Sequence, residues 1–365
     1  MLFKKVLYAF NAFLHRKTVG KSNDCSLLFE KYSSFIETNK DLNYTCFEKN
    51  LAIEKKAHSF VGAVEDTGSL YLIPNDYKSI CVIKKSERES FVGDLGDDTF
   101  KYTGECVYKN RLVLFPRKSK EYIILYLDSK TIEMVSNGES GNAEHHYGGV
   151  CTTDGIIFQP PRSNNNIAVF DLNTKKITRI NIGPKYLKYR YCGSIIHPNG
   201  FIYFLPEHGH VLKINQKTHK WSFIGKRIDS MVFDAKIGTD GDIYGFSGYG
   251  KGILKIDVLK DRVVTIHDDI YFGSYGTKLG INGKLFSIPG NSTYVWEYNP
   301  IDNSLKKIYQ TSERKWECKY AGGTTAKDGM VYASPVSSNK LLVLNPNSNL
   351  IIPDDIYNSF FSDNY

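Results

Sequence analysis

The chain lacks any apolar run approaching the roughly 20 residues that a membrane-spanning helix requires, so it offers no helical span. It also lacks paired-cysteine spacing. Its seven cysteines are an odd number and none stands in C-x-x-C arrangement, so we read them as reduced, unpaired thiols and expect a cytoplasmic setting. No serine nucleophile elbow, Cys–His pair, P-loop or dinucleotide-binding turn occurs with its required context. The Gly-rich stretch Gly245 to Gly252 follows a strand into a loop, not into a helix, and makes a weak phosphate cradle. His208 and His210 share one side of a strand, but two ligands do not complete a metal site. These absences predict neither cofactor nor metal and leave catalysis without a motif. What remains is an ordinary globular composition, 41% hydrophobic and 24% charged, with 13% aromatics that suit a strand-rich fold.

What the chain has in abundance is a repeated pattern of turn marks. In residues 146–180, Asp154-Gly155 makes a tight hairpin turn, because such turns need the positive φ that Gly and Asx tolerate. Pro161 ends the second strand, since proline cannot donate to the ladder. Asp171 and Asn173 mark the next turn, giving a meander of four strands. The turn glycine recurs at Gly68, Gly200, Gly241, Gly283 and Gly329, with Asn110 in the remaining copy. The strand-ending proline recurs at Pro74, Pro116, Pro206, Pro289 and Pro335, with Ser247 in its place once. Spacings of 41 to 46 residues with four strands per copy predict an all-β chain: a seven-bladed β-propeller of four-stranded antiparallel blades, with a short N-terminal helical extension. The segment Asn199 to Gly225 resembles a kelch-like repeat in its Asn-Gly turn, aromatic strand and Thr-x-x-Trp ending. It departs by carrying proline where kelch repeats have a glycine doublet, and the resemblance implies fold, not activity.

The expected layout is an extension over 1–57, the propeller over 58–359 and a polar, frayed tail over 360–365. Residues 2–17 fit a basic amphipathic helix with three readings: a mitochondrial-type targeting helix, a membrane-surface helix, or a helix docked on the propeller. Residues 24–38 suggest a second helix capped by Asp24. Residues 43–53 read as a strand that could clasp the ring, although the seventh blade reads as complete without it.

Net charge is +8, concentrated over 174–227, where eleven Lys/Arg stand against Glu207 alone. Most blades open with a basic residue, an aromatic and a glycine. The aromatic reads as a wedge between blades. Lys101, His146, Arg190 and Lys319 are expected near one axial opening, with Arg117, Arg162 and His208 on the same face. Converging cations attract carboxylate, phosphate or an acidic peptide. The expected function is therefore a non-enzymatic interaction scaffold whose channel mouth and basic blades 3–4 face an acidic protein, RNA or a phosphate group. The alternative is a propeller enzyme of the lactonase or lyase kind, acting on a small anionic substrate at the channel mouth. An enzyme needs an acid–base pair in a concave pocket, which a scaffold does not.

Overall fold

The computed structural model describes residues 23–84, 87–139, 144–183, 190–312 and 317–362. The expected helix over 2–17 and the basic Lys185 and Lys188 lie outside them. Helix α1 (Asn23–Asn39) opens the described chain, followed by strand β1 (Thr45–Asn50). Seven four-stranded antiparallel sheets then succeed one another. Strands β2 (Phe60–Asp66), β3 (Ser69–Pro74), β4 (Ile80–Lys84) and β5 (Ser90–Val92) form blade 1. Blades 2 to 6, each of four strands and together β6 to β25, occupy 102–136, 150–181, 191–228, 236–266 and 274–310. The second strand of each blade is almost wholly buried, as in Ser69–Pro74 where every residue is buried. The fourth is largely exposed, as in Lys176–Asn181. Apolar faces of adjacent blades pack together, and the largest cluster joins blades 4 to 6 to α1 and the C-terminal segment.

Blade 7 corrects one expectation. Its chain supplies three strands, β26 (Tyr320–Thr325), β27 (Val331–Pro335) and β28 (Lys340–Asn345), and its outer strand is β1, paired from Thr45↔Asn345 to Asn50↔Lys340. The segment after β28, expected to lie within a complete seventh blade, instead leads to a helical turn, α2 (Asp354–Ile356), continued by a π-helical turn, Tyr357–Phe361. That turn is not frayed at its end. Ser359, Phe360 and Phe361 are buried, with Phe360 stacked on Tyr32 of α1 at 3.9 Å and 8°. The Lys31–Asp355 ion pair at 2.6 Å ties the same two elements at their exposed edge. Together α1 and the C-terminal turn cover the end of the channel where inner strands finish.

Candidate functional site

The first strand of every blade begins at the opposite end, and a repeated hydrogen bond fixes its register. The amide after each strand-ending residue donates to the carbonyl of the residue that opens the blade: Asn75 to Ser59, Arg117 to Lys101, Arg162 to His145, Glu207 to Arg190, Gly248 to Met231, Gly290 to Gly273 and Val336 to Lys319. The next residue is the wedge between blades, and Phe60, Tyr102, Tyr191 and Tyr320 are all buried there. The residue after that points the other way, because side chains alternate along a strand. This third position rings the channel mouth. It carries Tyr147, Phe233 and Tyr275 in blades 3, 5 and 6, and the smaller Val61, Thr103, Cys192 and Ala321 elsewhere. The fourth position is glycine in every blade but one: Gly62, Gly104, Gly148, Gly193, Gly276 and Gly322, with Asp234 in blade 5. Glycine here reflects close approach. A Cβ on Gly193 would stand 2.8 Å from the carbonyl oxygens of both Val232 and Phe233 in the next blade.

This register revises the expected column of cations. His146 occupies the wedge position of blade 3, and His145 is the true counterpart of Lys101, Arg190 and Lys319. The Gly148-Gly149 doublet made the two alignments indistinguishable in sequence. His146 is buried, with its Nδ1 3.1 Å from the carbonyl oxygen of Pro160 and its Nε2 3.6 Å from Glu139. Lys101 is also buried, and its Nζ donates to the carbonyls of Gly96 and Asp98. Burial pulls the Lys101 pKa below its usual value, against the raising effect of nearby aspartates. The Lys319 Nζ is likewise buried and donates to the Ser292 carbonyl. These three groups pin loops; of the four, Arg190 alone is exposed, with a 60% accessible side chain.

Arg117 and Arg162 do come together. Both guanidinium groups lie over the Tyr147 ring, at 5.0 and 4.9 Å, and both donate to Glu144, at 2.8 and 3.0 Å. Arg162 reaches Glu207 at 3.3 Å, and Glu207 lies 3.9 Å from Arg190. Burial opposes the charges here, yet Arg117 and Arg162 hold the Glu144 carboxyl below its usual range, and Glu207 holds Arg162 above its own. His208 is exposed at the side of this group, and the described residues hold no cluster of three or more metal-ligating side chains.

Below the collar lies a cavity of about 130 Å³, open at the mouth and closed at the far end by Ser359, Phe360 and Ser362. Asp234 projects into it from the one blade that lacks the glycine. Its Oδ2 meets the Nζ of Lys278, on the inner strand of blade 6, at 2.7 Å. The Thr277 amide also approaches that oxygen, at 3.4 Å. The Lys278 side chain is 2% exposed and that of Asp234 18%, so the pair sits largely out of water with the carboxylate as its accessible member. Glu105 and Lys236 line the same cavity, and the Lys236 Nζ is 3.4 Å from the Phe361 carbonyl of the plug. Burial pushes the Cys192 thiol up to about 12, so the collar cysteine is not a thiolate nucleophile at neutral pH. Sequence reasoning missed Asp234 and Lys278. The available signal was the irregular start of blade 5, Phe233-Asp234-Ala235, where a carboxylate breaks the glycine column.

No protein-family model matches the chain, and no curated protein matches it in sequence, so no kelch family is identified for it. Solved structures do match. A streptogramin B lyase is 14% identical with a TM-score of 0.70, over 83% of this chain and 98% of its own. A catalytically inactive variant of virginiamycin B lyase from Staphylococcus aureus, with quinupristin, is 12% identical with a TM-score of 0.70, over 83% and 99%. The extracellular domain of what is described as a one-component system from B. thetaiotaomicron is 12% identical with a TM-score of 0.63, over 84% of this chain and 40% of that one. The chain has the fold of these propellers. The expectation of a non-enzymatic protein is corrected by these neighbours, because the same seven-bladed ring carries lyases over nearly their whole length.

Proposed function

We propose that this protein is a propeller enzyme of the lyase or lactonase kind, acting on a small anionic molecule held in the blind channel below the collar. One observation carries the reading: the Asp234–Lys278 pair, 2.7 Å apart, with the lysine buried and the carboxylate half-buried, at the only blade position where the glycine ring is interrupted. A carboxylate facing a cavity can accept a proton from a bound molecule. The ammonium beside it can stabilise negative charge that develops on an adjacent oxygen, and a low-dielectric site strengthens both effects. An interaction surface would have no need of an acid–base pair recessed in a cavity. The neighbouring lyase structures support the reading at the level of the fold.

The test is to incubate the purified protein with a small-molecule extract of its source cells and follow every compound by mass spectrometry. The wild type is expected to deplete specific compounds. Asp234→Asn and Lys278→Met are expected to slow that depletion by about 10²- to 10⁴-fold, the usual range for a positioned acid or base. Equal depletion by wild type and both variants, or none by the wild type, would sink the proposal.

A further inference from the structure

We propose that the collar is the recognition subsite of this channel, and that it selects a flat aromatic ring bearing a carboxylate. The inference rests on the reading of the channel as a substrate site and names the substrate class. Phe233 is the centre of the collar. Its ring centroid lies 4.7 Å from Tyr275, 6.1 Å from Tyr147 and 6.3 Å from Tyr249, at interplanar angles of 55°, 44° and 61°. None of these pairs is stacked face to face; Arg117 and Arg162 lie over Tyr147 and Gly290 packs on one side of Tyr275, while Phe233 and Tyr275 both remain half-buried at the mouth. Small residues flank them: Cys192 stands between Tyr147 and Phe233 around the ring, and Ala321 and Val61 follow Tyr275. The aromatics therefore gather on one side of the opening and leave room on the other, a shape suited to one ring lying against them. Tyr249 is 46% exposed, and its hydroxyl pairs with that of Tyr275, which extends the aromatic wall outward from the mouth.

The rim supplies charge of the opposite sign to a carboxylate. Arg117, Lys118, Arg162 and Arg190 form one connected group, with Glu144 and Glu207 as its acids among the described residues. Arg117 and Arg162 are committed to these two acids. Arg190 is held only at 3.9 Å with its side chain 60% exposed, and Lys118 is 37% exposed at 4.0 Å from Glu144, so these two remain able to meet a ligand anion. A ring against Phe233 and Tyr275 then places its charged substituent toward blades 2 to 4 and its reacting bond down the channel, toward Asp234.

Three probes separate ring from charge: phenylacetate, cyclohexylacetate and benzyl alcohol. Binding to the full chain is measured by ligand-observed NMR, with Phe233→Leu, Tyr275→Leu, Arg190→Gln and Asp234→Asn as variants and melting temperature as the check of folding. Phenylacetate is expected to bind about tenfold more tightly than either other probe. Phe233→Leu and Tyr275→Leu are expected to remove the preference over cyclohexylacetate, and Arg190→Gln to reduce the preference over benzyl alcohol. Asp234→Asn should retain phenylacetate binding. Equal binding of phenylacetate and cyclohexylacetate, an unchanged preference in both folded leucine variants, or no binding at millimolar probe would each overturn the collar proposal. If extract depletion depends on Asp234 while the probes are not discriminated, the collar proposal falls alone. If the probes are discriminated while nothing is depleted, the catalytic reading falls alone.

Discussion

Single residues carry most of what distinguishes this ring from seven identical blades. The turn glycines were legible because their role is local: positive φ follows from the turn itself. On that basis Gly155→Val should destabilise, while Gly252→Val, in a loop, should do less. The structure overturns the contrast. Gly155 has φ +84° and a Cβ there would press on the Tyr108 ring at 2.6 Å. Gly252 has φ +87°, and a Cβ there would meet the Thr265 Cγ2 at 2.3 Å and the Ile266 carbonyl oxygen at 2.8 Å. A tyrosine ring end can shift; a backbone carbonyl within a sheet cannot do so cheaply. We therefore expect both valine variants to lose at least the roughly 1–2 kcal/mol of a left-handed residue, with Gly252→Val the worse. Chemical denaturation of the two variants checks this, and a Gly252→Val midpoint equal to that of wild type would refute it. The collar shows the same limit of sequence reading. A tyrosine at the wedge position and a tyrosine one residue later look alike in sequence, yet Tyr191 is buried between blades and Tyr147 faces the channel.

At the scale of elements, strands and turns were legible from their punctuation, and charge pairing across turns was not. Between the first two strands of blade 5, Asp240 and Asp242 share the Lys255 ammonium at 3.4 and 3.0 Å, and Tyr244 donates its hydroxyl to Asp240 at 2.6 Å. Burial, then the charge of Asp240, push the Asp242 carboxyl up to about 6 in spite of Lys255. The direction of the consequence follows from proton binding. Between the ordinary aspartate value and about 6, the folded chain holds more of this proton than the unfolded chain. Stability from this group is therefore greatest at low pH and falls as pH rises through that window. Asp242→Asn keeps an oxygen for the Val258 amide and removes the titration. The difference in melting temperature, variant minus wild type, is expected to be more positive at pH 7.5 than at pH 4.5. A difference that is constant across this range would contradict the assignment. Such clusters escape sequence reading because Asp240 and Asp242 look like ordinary turn aspartates until Lys255, from a neighbouring strand, is placed beside them.

For the whole molecule, seven blades were countable from the prolines and glycines, and residues 43–53 read as a strand that could clasp the ring, but nothing in the seventh repeat marked it as lacking a strand. A strand supplied from the other end of the chain carries no mark in the repeat it completes. In the structure β1 is delivered to blade 7 by a short approach segment. The Tyr44 hydroxyl donates to the Gly329 carbonyl and accepts from the Ile281 amide, both at 2.9 Å, while Asn282 donates to the Leu42 carbonyl at 2.9 Å. These contacts bridge blades 6 and 7 before pairing begins. The outer strand of an inner blade can fray with its neighbours still joined through the chain. The outer strand of blade 7 is also the link between the two ends of the ring, so its loss removes the ladder that joins blade 7 to the N-terminal segment and leaves only side contacts such as that of Tyr44 with Gly329. Proline at both Phe47 and Glu48 removes whichever of these successive amides faces β28, since amides alternate along an edge strand and proline has none to donate. The same pair of prolines at Thr178 and Arg179, in the outer strand of blade 3, makes the matched control. Each local disruption costs about 1–3 kcal/mol, the cost of leaving a ladder carbonyl without its donor. The β1 variant should lose more, melting below the blade 3 variant by about 1–2 °C per further kcal/mol in a chain of 365 residues. It should also release α1 and the C-terminal plug to hydrogen exchange, which the control should leave protected. Equal melting and equal protection in the two variants would show that β1 is an ordinary outer strand and that the ring is held shut by inter-blade packing alone.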